Sequence, residues 1–270
     1  MYDVIVIGTG PAGLSAAINV RQKGKSVLCV GTAMENNPLW KAERVDNYLG
    51  LPGMTGKELL LTFFEHARNA GVEFLQERVL NTYHTDSGWM VSAGSSVLES
   101  RCVVFTGGIV RGKPYPGEEE HLGMGVSYCA TCDGMLYRGR EVAVLGFGPA
   151  DAEEAGYLES IGCRVHYFEK PKKVEIPGEG KVTSVIVDGE QIPVDCVFIL
   201  RPSLAAGSVF PGLDMDGPYI RVDRMMRTNL PGLYAAGDCT GRPLQVSKAV
   251  GEGLIAGQQA ADEAKAANEI

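Results

Sequence analysis

The residue types best suited to chemistry stand together at Cys129-Ala130-Thr131-Cys132-Asp133. Two cysteines separated by two residues can close a small disulfide and reopen it as a dithiol. A helix starting at the pair lowers the pKa of the first thiol and makes a reactive thiolate. Asp133 adds a carboxylate that can pass a proton. The same spacing is also half of a zinc site, which needs a second ligand pair. None is apparent: Cys29, Cys102, Cys163 and Cys196 stand singly in apolar surroundings and read as core cysteines, and His66, His84, His121 and His166 cluster nowhere. The pattern therefore favours a redox dithiol, with no metal.

The second constellation is Gly8-x-Gly10-x-x-Gly13, directly after Val4-Ile5-Val6-Ile7. Gly8 permits a tight turn, Gly10 lets backbone approach a pyrophosphate, and Gly13 lets a helix pack on the strand. The helix N-terminus then faces the anion. An acidic residue usually follows at the end of the second strand to hold a ribose, but Gly31 stands there, with Glu35 the nearest acid.

These motifs need strands and helices to hold them. Val4–Ile7, a helix over Leu14–Lys23 and a strand over Ser26–Val30 read as a βαβ unit. Leu59–Asn69 reads as an amphipathic helix, and Val91–Val104 as hairpin-like. A second unit starts at Glu141–Leu145, turns through Gly146-Phe147-Gly148-Pro149-Ala150-Asp151, and continues as a helix over Ala152–Ser160 and a strand over Arg164–Phe168. Val182–Val187 and Val194–Leu200 read as strands, and Val246–Ala267 as a terminal helix. The fold class expected is α/β: two Rossmann-like (three-layer ββα) domains, the second truncated and inserted into the first.

The chain has 270 residues and a net charge of −8. Such acidity disfavours nonspecific binding to nucleic acid or anionic membrane. No run of ~18 apolar residues suggests a membrane span. Seven cysteines in no secreted framework, with Met1 running straight into a strand, read as a reducing, cytoplasmic setting.

With Gly8–Gly13, Asn47 in Val45-Asp46-Asn47-Tyr48, Thr106-Gly107, Cys129–Asp133 and Pro231-Gly232-Leu233-Tyr234-Ala235-Ala236-Gly237-Asp238 in this order, the chain resembles the low-molecular-weight thioredoxin reductases along nearly its whole length. The resemblance implies an FAD domain at 1–110 and 212–270, and a redox-active CxxC domain at 111–211 that is the reduced relic of an NADPH domain. It places FAD on Gly8, Gly10, Pro11, Ala12 and Gly13, on Leu39, Asn47 and Val79, on Thr106 and Gly107, and on Gly237, Asp238, Gln245 and Val246. It further implies that Cys132 faces the flavin, that Cys129 attacks the disulfide of thioredoxin, and that Asp133 is the acid/base. A homodimer is expected on the same ground.

The second glycine turn departs from the family's Gly-x-Gly-x-x-Ala. Asp151 replaces the alanine with a repelling carboxylate, and Pro149 removes a backbone donor. The next strand leads to Phe168-Glu169-Lys170-Pro171-Lys172-Lys173, without the arginines that clamp a 2′-phosphate in NADPH-dependent members. The pattern resembles the pyridine-nucleotide-independent branch, the ferredoxin-dependent flavin thioredoxin reductases. That implies ferredoxin as electron donor, docking on a local basic face: Arg221, Arg224 and Arg227, or Lys170, Lys172 and Lys173, or Arg138 and Arg140. Two alternatives stay open: an NAD(P)H-dependent thioredoxin reductase with an atypical nicotinamide site, and a flavin redox sensor that does not turn over.

Overall fold

The computed structural model describes residues 1–108, 114–128, 130–148, 151–201 and 206–266, with backbone alone for 131, 132, 265 and 266. The run Val4–Val6 is wholly buried in β1 (Tyr2–Ile7), as in a parallel strand covered on both faces. Pro11 opens α1 (Pro11–Gln22), where its missing N–H costs nothing. β2 (Val27–Gly31) returns parallel to β1, with Val4 beside Val27. α2 (Gly56–Asn69) starts before the expected Leu59, because Thr55 and Glu58 form a reciprocal capping box. β3 (Glu73–Gln76) extends the sheet beyond β2, and β4 (Val79–Thr85), β5 (Gly88–Ala93) and β6 (Ser96–Phe105) form an antiparallel meander. β6 is long enough to pair in parallel with β1 as well, Val4 lying beside Cys102.

The chain next builds β7 (Val126–Ser127), α3 (Ala130–Asp133), β8 (Glu141–Gly146), α4 (Asp151–Ser160) and β9 (Arg164–Glu169). β10 (Val174–Glu175), β11 (Ser184–Val187) and β12 (Glu190–Pro193) form a small antiparallel sheet, and β13 (Cys196–Leu200) completes a parallel sheet of order β7-β13-β8-β9. α5 (Ala206–Val209) and the pair β14 (Met215–Asp216) and β15 (Tyr219–Ile220) follow. β16 (Leu233–Ala235) then joins β6 in parallel, and α6 (Val246–Ala266) closes the chain. Among the described residues, no helix is long and apolar enough to cross a membrane.

The architecture is α/β with two Rossmann-like units, Met1–Val110 with Ser203–Ile270, and Arg111–Pro202 inserted between them. α5 and the residues after it belong to the first unit. Val209 and Phe210 are buried in the core of the first unit, with the Phe210 ring centroid 5.6 Å from that of Trp89 and 5.5 Å from that of Phe105. The apolar pair is too short to register as an element in the sequence.

One helix contact fixes the geometry of the first unit. A Cβ on Gly253 would stand 3.1 Å from Ala12 Cα, and one on Gly257 2.8 Å from Ala16 Cα, so α6 lies backbone to backbone on α1. Ser15 Oγ donates to the Val250 carbonyl at 2.8 Å in the same crossing. An alanine at a helical glycine normally stabilises by about 1 kcal/mol. Here Gly257→Ala is expected to destabilise by about 1–3 kcal/mol through overpacking. Gly251→Ala, on an exposed position of α6 with open space around it, is expected to stabilise. Urea denaturation of both variants checks the opposite signs.

Candidate active site

The first glycine turn is built as an anion cradle. Gly8 takes φ +121°, and a Cβ there would stand 2.5 Å from Thr106 Oγ1. Thr106 Oγ1 lies 2.9 Å from the Ile7 carbonyl oxygen and 3.2 Å from that of Gly8, pinning the turn to β6. Gly10 is the N-cap of α1 and supplies no side chain, and the first turn of α1 holds no acid. The first N–H groups of a helix lack intrahelical acceptors, so this end suits a pyrophosphate. A Cβ on Gly10 would stand 2.8 Å from Asn37 Nδ2, and a larger residue there would press on that side chain.

Asn37 does a second task. Its Oδ1 accepts from Leu39 N at 2.9 Å and caps the 3-10 turn Pro38–Lys41, which presents Leu39. Gly56 packs against that turn, with its N–H donating to the Ala42 carbonyl at 2.8 Å. Asn47 Nδ2 donates to Gln245 Oε1 at 2.7 Å, bringing the Asn47 loop to the first residues before α6. Gly237, at φ +89°, brings the β16 turn against α1: a Cβ there would stand 2.8 Å from Ala12 Cβ. Asp238 follows in a 3-10 turn, and Gly107 continues the chain from Thr106. Val79 differs: its side chain is buried in the core at the start of β4, leaving only backbone for a ligand. At Gly31 a Cβ would meet Thr9 Oγ1 at 2.8 Å, so an acidic side chain there would displace Thr9.

Lys248 and Glu252 have a role that the sequence does not assign. Glu252 Oε2 accepts from Gly237 N at 2.9 Å and lies 2.7 Å from Thr240 Oγ1. Lys248 Nζ donates to the Gly237 carbonyl at 2.8 Å and lies 3.0 Å from Glu252. This pair, one turn apart on α6, grips both polar groups of Gly237. The i,i+4 spacing was the available signal.

The second glycine turn has the opposite electrostatics. Asp151 is buried, and its Oδ2 accepts from Phe147 N at 2.6 Å and from Gly148 N at 2.8 Å. The first turn of α4 carries Asp151, Glu153 and Glu154. A Cβ on Gly146 would stand 2.5 Å from Tyr167 Oη, so that ring covers the first glycine. Burial, then the charges of Asp151 and Glu169, raise the Tyr167 phenol above its ordinary pKa. Beyond the strand ends lies a bidentate pair between Arg201 and Glu118. Glu118 also accepts from Tyr115 N at 2.8 Å and from Tyr128 Oη at 3.1 Å, and the guanidinium lies 4.7 Å from the Tyr115 ring centroid.

Cys129 lies outside the described residues, as do Pro149 and the Cys132 side chain; the Cys132 backbone is in α3. Asp133 ends α3, and its Oδ2 accepts from the buried hydroxyl of Ser127 at 2.7 Å. Cys29, Cys102, Cys163, Cys196 and Cys239 are buried free thiols. Burial raises them all, Cys102 and Cys239 to about 12, so they hold no thiolate near neutral pH.

Comparison with known proteins joins the two units in one lineage. Residues 2–181 and 169–253 match the family described as pyridine nucleotide-disulphide oxidoreductase. The thioredoxin reductase of Listeria innocua is 34% identical, over 96% of this chain and 93% of its own. The chain belongs to the pyridine nucleotide-disulphide oxidoreductase family. Its structure is similar to that of a ferredoxin-flavin thioredoxin reductase from Clostridium acetobutylicum, with a TM-score of 0.93, 37% identity, and coverage of 100% and 99% of the two chains. A thioredoxin reductase from Gloeobacter violaceus gives 0.83, 30%, 96% and 93%. The chain is accordingly an enzyme of the flavin disulfide oxidoreductase type.

Within this family, the cradle of Gly8, Gly10 and Gly13 fits a flavin dinucleotide. The turn is too tight for side chains, and the N-terminus of α1 is free of acids. α6 likewise starts without an acid in its first turn, so its positive end stabilises negative charge. Glu252→Ala is expected to strand the Gly237 N–H and leave Lys248 without its carboxylate. The expected cost is about 2 kcal/mol, together with loss of bound flavin on gel filtration, measured as the ratio of visible to 280 nm absorbance.

Proposed function

We propose that the enzyme binds FAD in the first unit and reduces thioredoxin, or a thioredoxin-like protein, through a Cys129–Cys132 dithiol, with ferredoxin as electron donor. The contrast between the two glycine turns carries this reading. The first is free of acids at its helix start, while in the second Asp151 already serves as the anion for Phe147 N and Gly148 N. A pyrophosphate at the second turn would have to displace a buried carboxylate and face Glu153 and Glu154. Glu169, at the end of β9 where a ribose acceptor would stand, is paired with Lys170 at 2.8 Å. The likeness to the Clostridium acetobutylicum protein supports the same donor class.

When bound, FAD supplies both one-electron and two-electron chemistry, which suits an iron–sulfur donor and a disulfide acceptor. The protein's own work is thiol chemistry. The Cys129 thiolate attacks one sulfur of the partner disulfide, giving a mixed disulfide and a partner thiolate. Cys132 then attacks Cys129 Sγ, closing the Cys129–Cys132 disulfide and releasing the second partner thiol. Asp133 takes the proton from the Cys132 thiol and returns it to the partner thiolate. A homodimer and a cytoplasmic setting belong to the same reading.

The cluster of Arg221, Arg224 and Arg227 is a poor point of entry for electrons. Arg227 donates to Gln259 Oε1 at 2.8 Å, on the fourth turn of α6. At 1.5 Å per residue, that is roughly 20 Å from the helix start assigned to the flavin.

An anaerobic titration of the yellow protein tests the donor. Reduced ferredoxin is expected to bleach the flavin band, while NADPH and NADH leave it unchanged; bleaching by a nicotinamide at catalytic speed would restore the NAD(P)H-dependent alternative. Cys129→Ser and Cys132→Ser are expected to abolish thioredoxin reduction and leave the protein yellow.

A further inference from the structure

We infer that Ser127 is a positioning residue, holding Asp133 for proton transfer at the redox pair. The inference rests on the proposed dithiol reading and adds a residue to it. Ser127 ends β7, where Phe198 of β13 fixes its backbone in parallel register. It is 4% exposed, so its hydroxyl needs an internal partner, and Asp133 Oδ2 lies 2.7 Å away. The next residue is anchored as well: Tyr128 donates to Glu118, which pairs with Arg201. The two residues before Cys129 are thus tied on one side to the proton carrier and on the other to a buried ion pair.

The chemistry needs such a tie. Asp133 stands at the end of a helix of four residues, too short to be rigid alone. A carboxylate that moves a proton between Cys132 and the partner must keep one oxygen toward the sulfurs. The Ser127 hydroxyl engages Oδ2 and leaves Oδ1 to carry the proton.

The test uses the full-length yellow protein, reduced by dithionite so that the natural donor does not enter, and mixed with oxidised bacterial thioredoxin. Ser127→Ala is expected to lower kcat about tenfold, part of the 10²–10⁴ that a positioned acid or base supplies. KM for thioredoxin is expected to hold. Ser127→Thr keeps the hydroxyl and is expected to restore the rate, whereas Ser127→Val, of similar size, is not. In an Asp133→Asn background Ser127→Ala is expected to add nothing. The inference is overturned by an unchanged kcat in Ser127→Ala. Equal rates for the Thr and Val variants overturn it too, as does an undiminished Ser127→Ala effect in Asp133→Asn. Turnover persisting in both cysteine variants would instead remove the dithiol reading beneath it.

Discussion

The close crossing of α1 and α6 is the constraint on which the cofactor unit depends. Gly253 and Gly257 let the backbone of α6 rest on Ala12 and Ala16, and Ser15 ties the crossing with a hydrogen bond to Val250. The turn after β16 meets the same place: a Cβ on Gly237 would stand 2.8 Å from Ala12 Cβ in the first turn of α1. One contact therefore sets the register of the two helices, the start of α1 lying against the third turn of α6, and with it the spacing of the pyrophosphate end from the end assigned to the ring of the proposed flavin. Lys248 and Glu252 add a local clamp on Gly237 from within α6. A side chain at either glycine would separate the helices and open both sites together.

The chain contains the same strand–turn–helix twice, and the two copies show what side chains can do to one backbone design. A helix start always presents unpaired N–H groups, which must find an acceptor. In the first unit nothing on the helix start supplies one, so the turn suits an external anion. In the second, Asp151 folds back onto Phe147 N and Gly148 N and satisfies the turn from within. The same logic extends along the carboxyl ends of the second sheet. Arg201 and Glu118 there neutralise each other, and Tyr115, Tyr128 and Phe147 line the pair.

The strands and helices were largely legible, because apolar runs such as Val4–Ile7 and Val142–Leu145 determine where the parallel sheets must lie. The chemical character of Asp151 was legible too, since a carboxylate at a glycine-turn position is wrong for pyrophosphate at any rotamer. Its hydrogen bonds were not, because they depend on the side chain folding back across the turn. The early start of α2 was carried by Thr55 and Glu58, a signal of capping rather than of apolar periodicity. Val209 and Phe210 carry little sequence signal because their burial depends on distant partners, Phe210 packing on Trp89 and Phe105. Asn37, Ser127, Lys248 and Glu252 act by orienting other residues, and such roles leave little trace in residue type or spacing.

Under the proposed reading the second glycine turn holds no dinucleotide, and such a turn faces a physical problem beyond lost affinity. Its N–H groups still point outward, and leaving buried donors without partners costs about 1–3 kcal/mol each. Decay by random substitution would weaken the unit, and with it the redox helix that the unit carries. Asp151 removes the problem at Phe147 N and Gly148 N by supplying a carboxylate of the protein's own. Under the proposed reading, abandoning the nicotinamide therefore required new internal bonds as well as lost contacts. The parallel ladder holds β7, β13 and β8 in register, and β7 in turn presents Ser127 to Asp133. Under the proposed reading the second unit is the mount for the thiol chemistry, and that is why its sheet persists although its glycine turn is filled from within.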